Sequence, residues 1–377
     1  MLKYLIFTML IFALTVCDHA SALTKKRPRI VMITPSSPTN SYWPSVFRVI
    51  NSVARDLDYH FEHVDVGVKD RFIQNDLAIK IMEGPNRPDA LIIVVAIGNT
   101  KPILDVAERL KIPVIIQGPL WPFEIKTVGL PREKYKQYIA LVQQEEVLKG
   151  YMSAKLLFTK AMANKHLAAD GKIHLLAIGG QKRWVGSTQR EEGMQKALKE
   201  FPMIELKQIS PGKWDTAEAK VLTTKMLARF PESSIVWAAS DAMAEGAMQA
   251  FEAKGKSAAS GKVYVSGIDM AEFGLRNVIA GRSVGTAAMS VLGMGEMMVY
   301  IYDYLMGKDF VKEIGTTIEP ETLLATPENA NQLLELVNRV DKIDYKLFSK
   351  VYNPNLKKYD FKYHTLLDAA GITENPR

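Results

Sequence analysis

The sequence predicts an α/β protein built as two doubly wound lobes in series. Short apolar runs alternate with amphipathic helical patterns along most of the 377 residues, the signature of βα units and parallel sheets. One run, Ala90–Val95, is apolar without interruption, as a strand buried on both faces must be. At ~150 residues per domain the length allows two or three domains. A hydrophobic fraction of 47% is enough to fill real cores.

The elements follow in order. Arg29–Thr34 reads as a strand, followed by a helix through Val46, Ile50, Val53 and Leu57. Phe61–Val66 is the second strand, with a helix over Ile73, Leu77, Ile79 and Ile81. After Ala90–Val95, a helix to Leu110 and the strand Pro113–Gln117 complete this half. A long helix at Val147–Met162 opens a second set. Its strands are Ile173–Ile178, Ile204–Ile209, Ile235–Ala239 and Val263–Gly267, separated by helices Thr188–Phe201, Ala217–Phe230 and Ala242–Lys254. Helix Glu272–Ala280, strand Ser283–Met289 and the apolar helix Val291–Leu305 follow. No tandem repeat and no low-complexity linker interrupts the pattern. Beyond Pro320, Ala330–Val340 is still amphipathic, but Asp341–Arg377 is polar, with Tyr345, Phe348, Tyr352, Tyr359 and Tyr363 scattered along it. Such a segment is too aromatic for disorder. It is expected to pack across the outside of the lobes, a partner-binding tail being the alternative.

Composition narrows the function classes. Lys and Arg number 48 against 41 Asp and Glu, a net charge of +7, but the two signs interleave throughout. No single-sign patch of the kind nucleic acid requires is visible. One cysteine cannot form an intramolecular disulfide, and six histidines spread along the chain form no dense metal cluster. Lys3, the apolar run Leu5–Val16 and the small residues Ala20 and Ala22 make a secretory signal over residues 1–22. Cleavage after Ala22 is expected; a lipid-modified Cys17 is the alternative, disfavoured by the bulky Val16 before it. The greasiest later stretch, Met294–Leu305, contains Glu296 and Asp303, so the mature chain is expected to be soluble and exported, most simply to a bacterial periplasm.

In open α/β sheets ligands bind beyond the carboxyl ends of the strands. Trp43, Trp121, Trp184 and Trp214 each follow a predicted strand, whereas Trp237 sits within one and reads as core. Four indoles on one edge favour a stacking site for apolar ring faces. The same edge carries Asn40, Ser41, Arg190, Ser240, Asp241 and Asp269. Arg190 can fork two hydrogen bonds and carboxylates accept pairs of hydroxyls. Asp241 opens a helix and could equally be its N-cap. Arg190 is read in the first turn of its helix, where the dipole repels a cation. Its removal is therefore expected to leave the unliganded fold as stable as before, or slightly more so. Gly179 and Gly180 read as backbone making room near a ligand. No GxGxxG after a strand, GxxxxGK[ST], HExxH or G-x-S-x-G occurs, so an enzyme is not expected.

Four motifs carry a resemblance. Gly186-Ser-Thr-Gln-Arg190-Glu-Glu-Gly193-Met is similar to an S-x-x-R-x-x-G-F signature, and Ser240-Asp241-Ala-Met-Ala-Glu-Gly246-Ala to N-D-x-M-A-x-G-A. Val265-Ser-Gly267-Ile-Asp269 is similar to V-x-G-x-D, and Thr39-Asn40-Ser-Tyr42-Trp43 sits where N-N-P-F-F is found. In this order they resemble type I periplasmic solute-binding proteins, of the ribose-binding and autoinducer-2-receptor-like branch, from about Arg29 to Leu324. The resemblance implies two Rossmann-like lobes joined by a three-segment hinge and closing on a ligand. It implies ligand contacts from Asn40, Tyr42 and Trp43 in the first lobe, and from Arg190, Trp214, Ser240 and Asp269 in the second. Hinge passages are expected near Gln143, Ser290 and Glu319. The chain departs from the pattern at Gly118 and Pro119, where ribose binders carry Asp-Arg, at Ser240, and at Met289.

The expected organisation is therefore a signal at 1–22, a first lobe of 23–143 plus 290–320, a second lobe of 144–289, and a returning segment with an extended tail at 321–377. The expected function is capture of a small polar ligand, a sugar or polyol, for delivery to an ABC permease. The alternative is a receptor of the same fold acting on a membrane sensor kinase or cyclase. A monomer without cofactor or metal is expected, with no nucleic-acid partner.

Overall fold

Runs such as Ala-Leu-Ile-Ile at 90–93 and Ile-Val-Trp-Ala at 235–238 are buried along their whole length, so they form interior strands of two six-stranded sheets. The computed structural model describes residues 27–34, 42–66, 71–165, 167–257, 259–289 and 293–373. In the first lobe β1 (Arg29–Thr34), β2 (His60–Asp65), β3 (Ala90–Ile93), β4 (Val114–Gln117) and β5 (Tyr138–Val142) alternate with helices. These are α1 (Tyr42–Leu57), α2 (Arg71–Glu83), α3 (Thr100–Leu110) and α4 (Pro122–Val128). After α5 (Glu146–Ala163) the scheme repeats with β6 (Ile173–Gly179), α6 (Val185–Leu198), β7 (Ile204–Pro211), α7 (Thr216–Arg229) and β8 (Ile235–Ala238). It continues with α8 (Asp241–Glu252), β9 (Tyr264–Ile268), α9 (Glu272–Ile279) and β10 (Gly285–Met289). The chain returns to the first lobe through α10 (Gly293–Leu305), α11 (Val311–Ile314) and β11 (Thr317–Ile318), then crosses again to β12 (Thr322–Ala325).

The sheet orders are β11-β5-β4-β3-β1-β2 and β12-β10-β9-β8-β6-β7. The first is parallel throughout, and in the second only β12 runs antiparallel, against β10. Both sheets thus share a doubly wound order that reverses beside their first strand, which places a switch-point crevice at the carboxyl edge of each. The backbone repeats a topology that no residue-level repeat announces.

The strand Tyr138–Val142 corrects the reading in which Pro113–Gln117 completes the first half. All five of its residues are buried, and it pairs with β4 and β11. A short strand buried on both faces and running straight into a helix cannot be told from that helix by periodicity. Two of the crossings between lobes lie side by side here, Gln143 N donating to Ile318 O at 2.8 Å. The third, near Ser290, lies outside the described residues.

The C-terminal region is more than a cover. After α12 (Ala330–Asn338) come two 3-10 turns, Val340–Lys342 and Tyr345–Phe348, and α13 (Tyr363–Ala369). Tyr345, Phe348, Tyr359, Phe361, Leu366 and Leu367 are buried in the same hydrophobic cluster as Val49, Val53 and Leu57 of α1 and Met297, Tyr300 and Ile301 of α10. Asp303 of α10 is fully buried and accepts from Ser349 Oγ at 2.5 Å, Lys350 N at 2.7 Å and Tyr359 Oη at 2.8 Å. A buried carboxylate holding three donors pins the segment in one arrangement.

Candidate ligand cleft between the lobes

The carboxyl edges of the two sheets face one another across a cavity of about 190 Å³. Its walls hold Tyr42, Trp43, Gln117 and Trp121 from the first lobe, and Trp184, Arg190, Trp214, Ser240 and Asp269 from the second. All four loop tryptophans therefore converge, and Trp237 is buried in the middle of β8 as core.

On the first-lobe side the surface is aromatic. Trp43 stacks on Phe47 with ring centroids 5.6 Å apart, and Tyr42 meets it edge-on at 5.3 Å. Burial, and then the negative charge of Asp269 across the cleft, push the Tyr42 hydroxyl pKa up. Trp121 directly precedes α4, whose Glu124 is already occupied, accepting from Thr100 Oγ1 at 2.7 Å and Gly98 N at 3.1 Å. Gly118 and Pro119 line the same wall. Gln117 ends β4 almost fully buried, and its Oε1 finds no partner among the described residues. Asn40 lies outside the described residues, as does Ser41.

The second-lobe side is charged and internally bonded. Arg190 donates through Nε to Glu146 Oε2 at 2.6 Å, and through Nη1 to Ala239 O at 2.6 Å and Asp269 Oδ1 at 3.0 Å. Lys149, one turn along α5 from Glu146, donates to Glu146 Oε1 at 3.2 Å and to Gln144 Oε1 at 2.8 Å. Burial raises the Glu146 carboxyl, but Arg190 and Lys149 outweigh it and hold its pKa down at about 2. Burial lifts Asp269 up to about 6 against the pull of Arg190. Lys149 is lowered, chiefly by burial. For Arg190 burial works downward, yet Glu146 and Asp269 prevail and its pKa rises. Arg190 is the sixth residue of α6, beyond the first turn, so the helix dipole does not oppose it as the sequence reading held. Its two carboxylate partners argue against the expectation that its loss leaves the fold unharmed.

Backbone strain concentrates on this wall. Lys213 and Trp214 both have positive φ, 56° and 62°, and Asp269 and Met270 have 122° and 54°. Non-glycine residues held in these regions need support from their surroundings. Asp241 supplies part of it: its Oδ2 accepts from Ala271 N at 2.9 Å, just past the strained pair. Asp241 does not line the cavity; it is packed against Gly267 and Gly274, where an added Cβ would come within 2.2 Å and 2.1 Å of its carboxylate. Its place in the structure is thus behind the cleft wall, bracing the loop that carries Asp269. The N-cap of α8 is Ser240, which accepts from Met243 N at 3.2 Å and also faces the cleft. Gly180 makes room for Trp214, since a Cβ there would lie 2.2 Å from the indole. That indole lies under the Arg190 guanidinium at 5.4 Å.

Glu146, Lys149, Gln117 and Gln144 escaped the sequence reading. The signal available for the first two was an acidic residue three before a lysine at the start of a long helix; starting that helix at Val147 left Glu146 in the connection. A further group, Asp170, His174 and Glu205, brings ligand atoms within 4.8 Å at the opposite ends of β6 and β7, where histidine spacing alone showed no cluster. His174 Nε2 pairs with Asp170 and Lys207 with Glu205.

The profile of the periplasmic binding protein domain matches residues 30–309. The chain belongs to this family. Its architecture is the type I form, two α/β lobes with parallel-dominated sheets. A crystal structure of a periplasmic sugar-binding protein from Pseudomonas fluorescens superposes with a TM-score of 0.78 at 25% identity, covering 90% of this chain and 99% of that one. An ABC transporter solute-binding protein from Actinobacillus succinogenes 130z, with bound D-allose, gives 0.69 at 22% identity over 81% of this chain and 100% of its own. The D-allose-binding periplasmic protein of Escherichia coli (strain K12) is 30% identical over 156 residues, 41% of this chain. The match spans about half of that relative, 47% of its length. Among the described residues no helix is long and apolar enough to cross a membrane. The expected signal at 1–22, with Cys17, lies outside them.

Proposed function

We propose that this protein is an exported solute-binding protein that captures a small sugar or polyol between its lobes and delivers it to an ABC permease. The observation that carries the reading is the meeting of two unlike walls on one small cavity. Indoles offer flat apolar faces to a sugar ring, and a fixed guanidinium, carboxylate and hydroxyl offer directional hydrogen bonds to its hydroxyls. Trp43, Trp121 and Tyr42 are assigned to the first kind of contact with Trp184 and Trp214. Arg190, Ser240 and Asp269 are assigned to the second, and Asn40 is assigned to it on the sequence resemblance alone. Relatives that bind D-allose support the sugar class. Delivery to a permease is preferred over a sensor partner because the C-terminal region, the one feature favouring a sensor, is built into the first lobe's core. The protein is taken to act as a monomer through hinge closure, which selects the compact state when ligand bridges both walls.

Native mass spectrometry of the purified protein, followed by thermal denaturation against a panel of neutral sugars and polyols, tests the reading. A retained monosaccharide-sized molecule is expected. One panel member at a hundredfold excess over its Kd should add about 2.7 kcal/mol of stability. Silence across the panel, with no retained molecule, contradicts it.

A further inference from the structure

A guanidinium presents two forks, Nε with Nη2 and Nη1 with Nη2, and each fork can clasp a carboxylate or phosphate through two parallel bonds. At Arg190 both forks are already half closed. Glu146 occupies Nε, while Ala239 O and Asp269 occupy Nη1. Nη2 makes no hydrogen bond among the described residues. A ligand therefore meets one donor corner, which suits a hydroxyl or ring oxygen and denies a carboxylate its two-point clasp.

Charge points the same way. Arg190 and Lys149 face Glu146 and Asp269, two positive groups against two negative in one buried network. Side-chain exposure is 5% for Glu146, 2% for Lys149 and 11% for Arg190, so solvent screens these charges poorly. An anion entering the cleft would lie beside two carboxylates whose cations are already paired, and would itself be stripped of water without compensation. Of the other charged groups on the wall, Glu124 adds to the repulsion and Arg183 stands at the exposed rim.

We propose that Glu146 is the specificity-determining residue that makes the cleft select neutral ligands over anionic ones, by closing the Nε corner of Arg190 and cancelling its charge. The proposal rests on the reading of this cleft as the ligand site, but not on the ligand being a sugar.

The test has two arms. In the first, calorimetry compares matched pairs, D-glucose with D-glucuronate and D-galactose with D-galacturonate, on the wild type and on Glu146→Gln. The wild type should bind the neutral member of any pair it accepts at least tenfold more tightly, and the variant should narrow that preference at least tenfold. In the second, inorganic sulfate is titrated against tryptophan fluorescence. Glu146→Gln should show a saturable change at a sulfate concentration at least tenfold below any seen for the wild type, and Glu146→Gln/Arg190→Ala should lose it. Should Glu146→Gln not fold, Glu146→Ala is read in the same way. A wild type that binds a uronate as tightly as its neutral partner, or that saturates with sulfate like the variant, overturns the proposal. Gain of sulfate binding with no sugar bound by the wild type supports the charge filter while refuting the sugar reading. Sugar binding with no gain in either arm does the reverse.

Discussion

The two walls of the cleft are built from the same strand order and do opposite work. The first lobe presents rings, with Trp43 backed by Phe47 and the lobe's lining carboxylate, Glu124, consumed by Thr100 and backbone. The second presents a buried network of charges set on strained loops. Stacking on a ring is tolerant of rotation, whereas a half-bonded guanidinium donates to an oxygen in one place only. The first lobe therefore only grips, while the second adds reading to the stacking of Trp184 and Trp214. The first lobe also takes the C-terminal aromatics into its core, so its cohesion comes from packing, while the second wall depends on paired charges.

The sharpest way to break this contrast is Arg190→Ala. Losing this cation leaves Asp269 buried without its ion pair and Glu146 with Lys149 alone, and breaking a buried pair typically costs about 3–5 kcal/mol of stability. Ligand affinity should fall roughly thirty-fold or more on top of that. Denaturant midpoints and calorimetry measure both. An Arg190→Ala protein as stable as wild type would mean that the charge network does not hold the second wall together.

Next comes pH. Burial raises Asp269 to about 6, above its unfolded value near 4. The native state therefore binds the proton more readily than the unfolded chain does between these values. Stability from this group is present below about pH 4 and lost as pH rises through about 6, an amount of about 3 kcal/mol by linkage. Glu146 runs the other way: held at about 2, it contributes stability above about pH 4.5 that is lost as pH falls through 2. Urea midpoints of wild type and Asp269→Asn from pH 4 to 7 isolate the first effect. The wild type should lose ground steadily against the variant up to pH 6, and a constant difference would show that Asp269 does not titrate there.

Indole truncation probes stacking on both walls, Trp214 from the second lobe and Trp43 from the first. Trp214→Ala should weaken binding by about 2 kcal/mol or more, since it removes ring contact and the platform under Arg190. Trp43→Ala should cost about 1 kcal/mol, because Phe47 and Trp121 retain apolar surface there. The reverse order, measured by calorimetry, would put the main stacking contact on the first lobe instead. The smallest effect is kept for the C-terminal core. Tyr359→Phe removes one of three donors to Asp303 and should cost about 1–2 kcal/mol of stability with affinity unchanged. A change in affinity there would link that core to the cleft.

Much of this molecule is legible along the chain, for stated reasons. Interior strands are uninterrupted apolar runs, and residues that follow them must lie at the carboxyl edge, which is enough to gather four tryptophans, Arg190, Ser240 and Asp269 in one place. What the linear pattern hides is pairing. Arg190 meets Glu146 across 44 residues and Asp269 across 79, and nothing in local spacing announces either contact. Without them Arg190 looked like a lone cation at a helix start. Tyr138–Val142 was hidden because a buried strand runs directly into the next helix. Nor does the sequence show that Ser240 takes both the cap and the cleft, while Asp241 beside it braces the strained loop after Asp269.

Closure of the two walls on one ligand is the central claim, and small-angle X-ray scattering tests it most directly. The radius of gyration is measured on ligand-free protein and on protein saturated with a sugar whose binding calorimetry has established. The account predicts a smaller radius in the saturated sample, and no such change for Arg190→Ala at the same sugar concentration. An unchanged radius at proven saturation would contradict capture by closure.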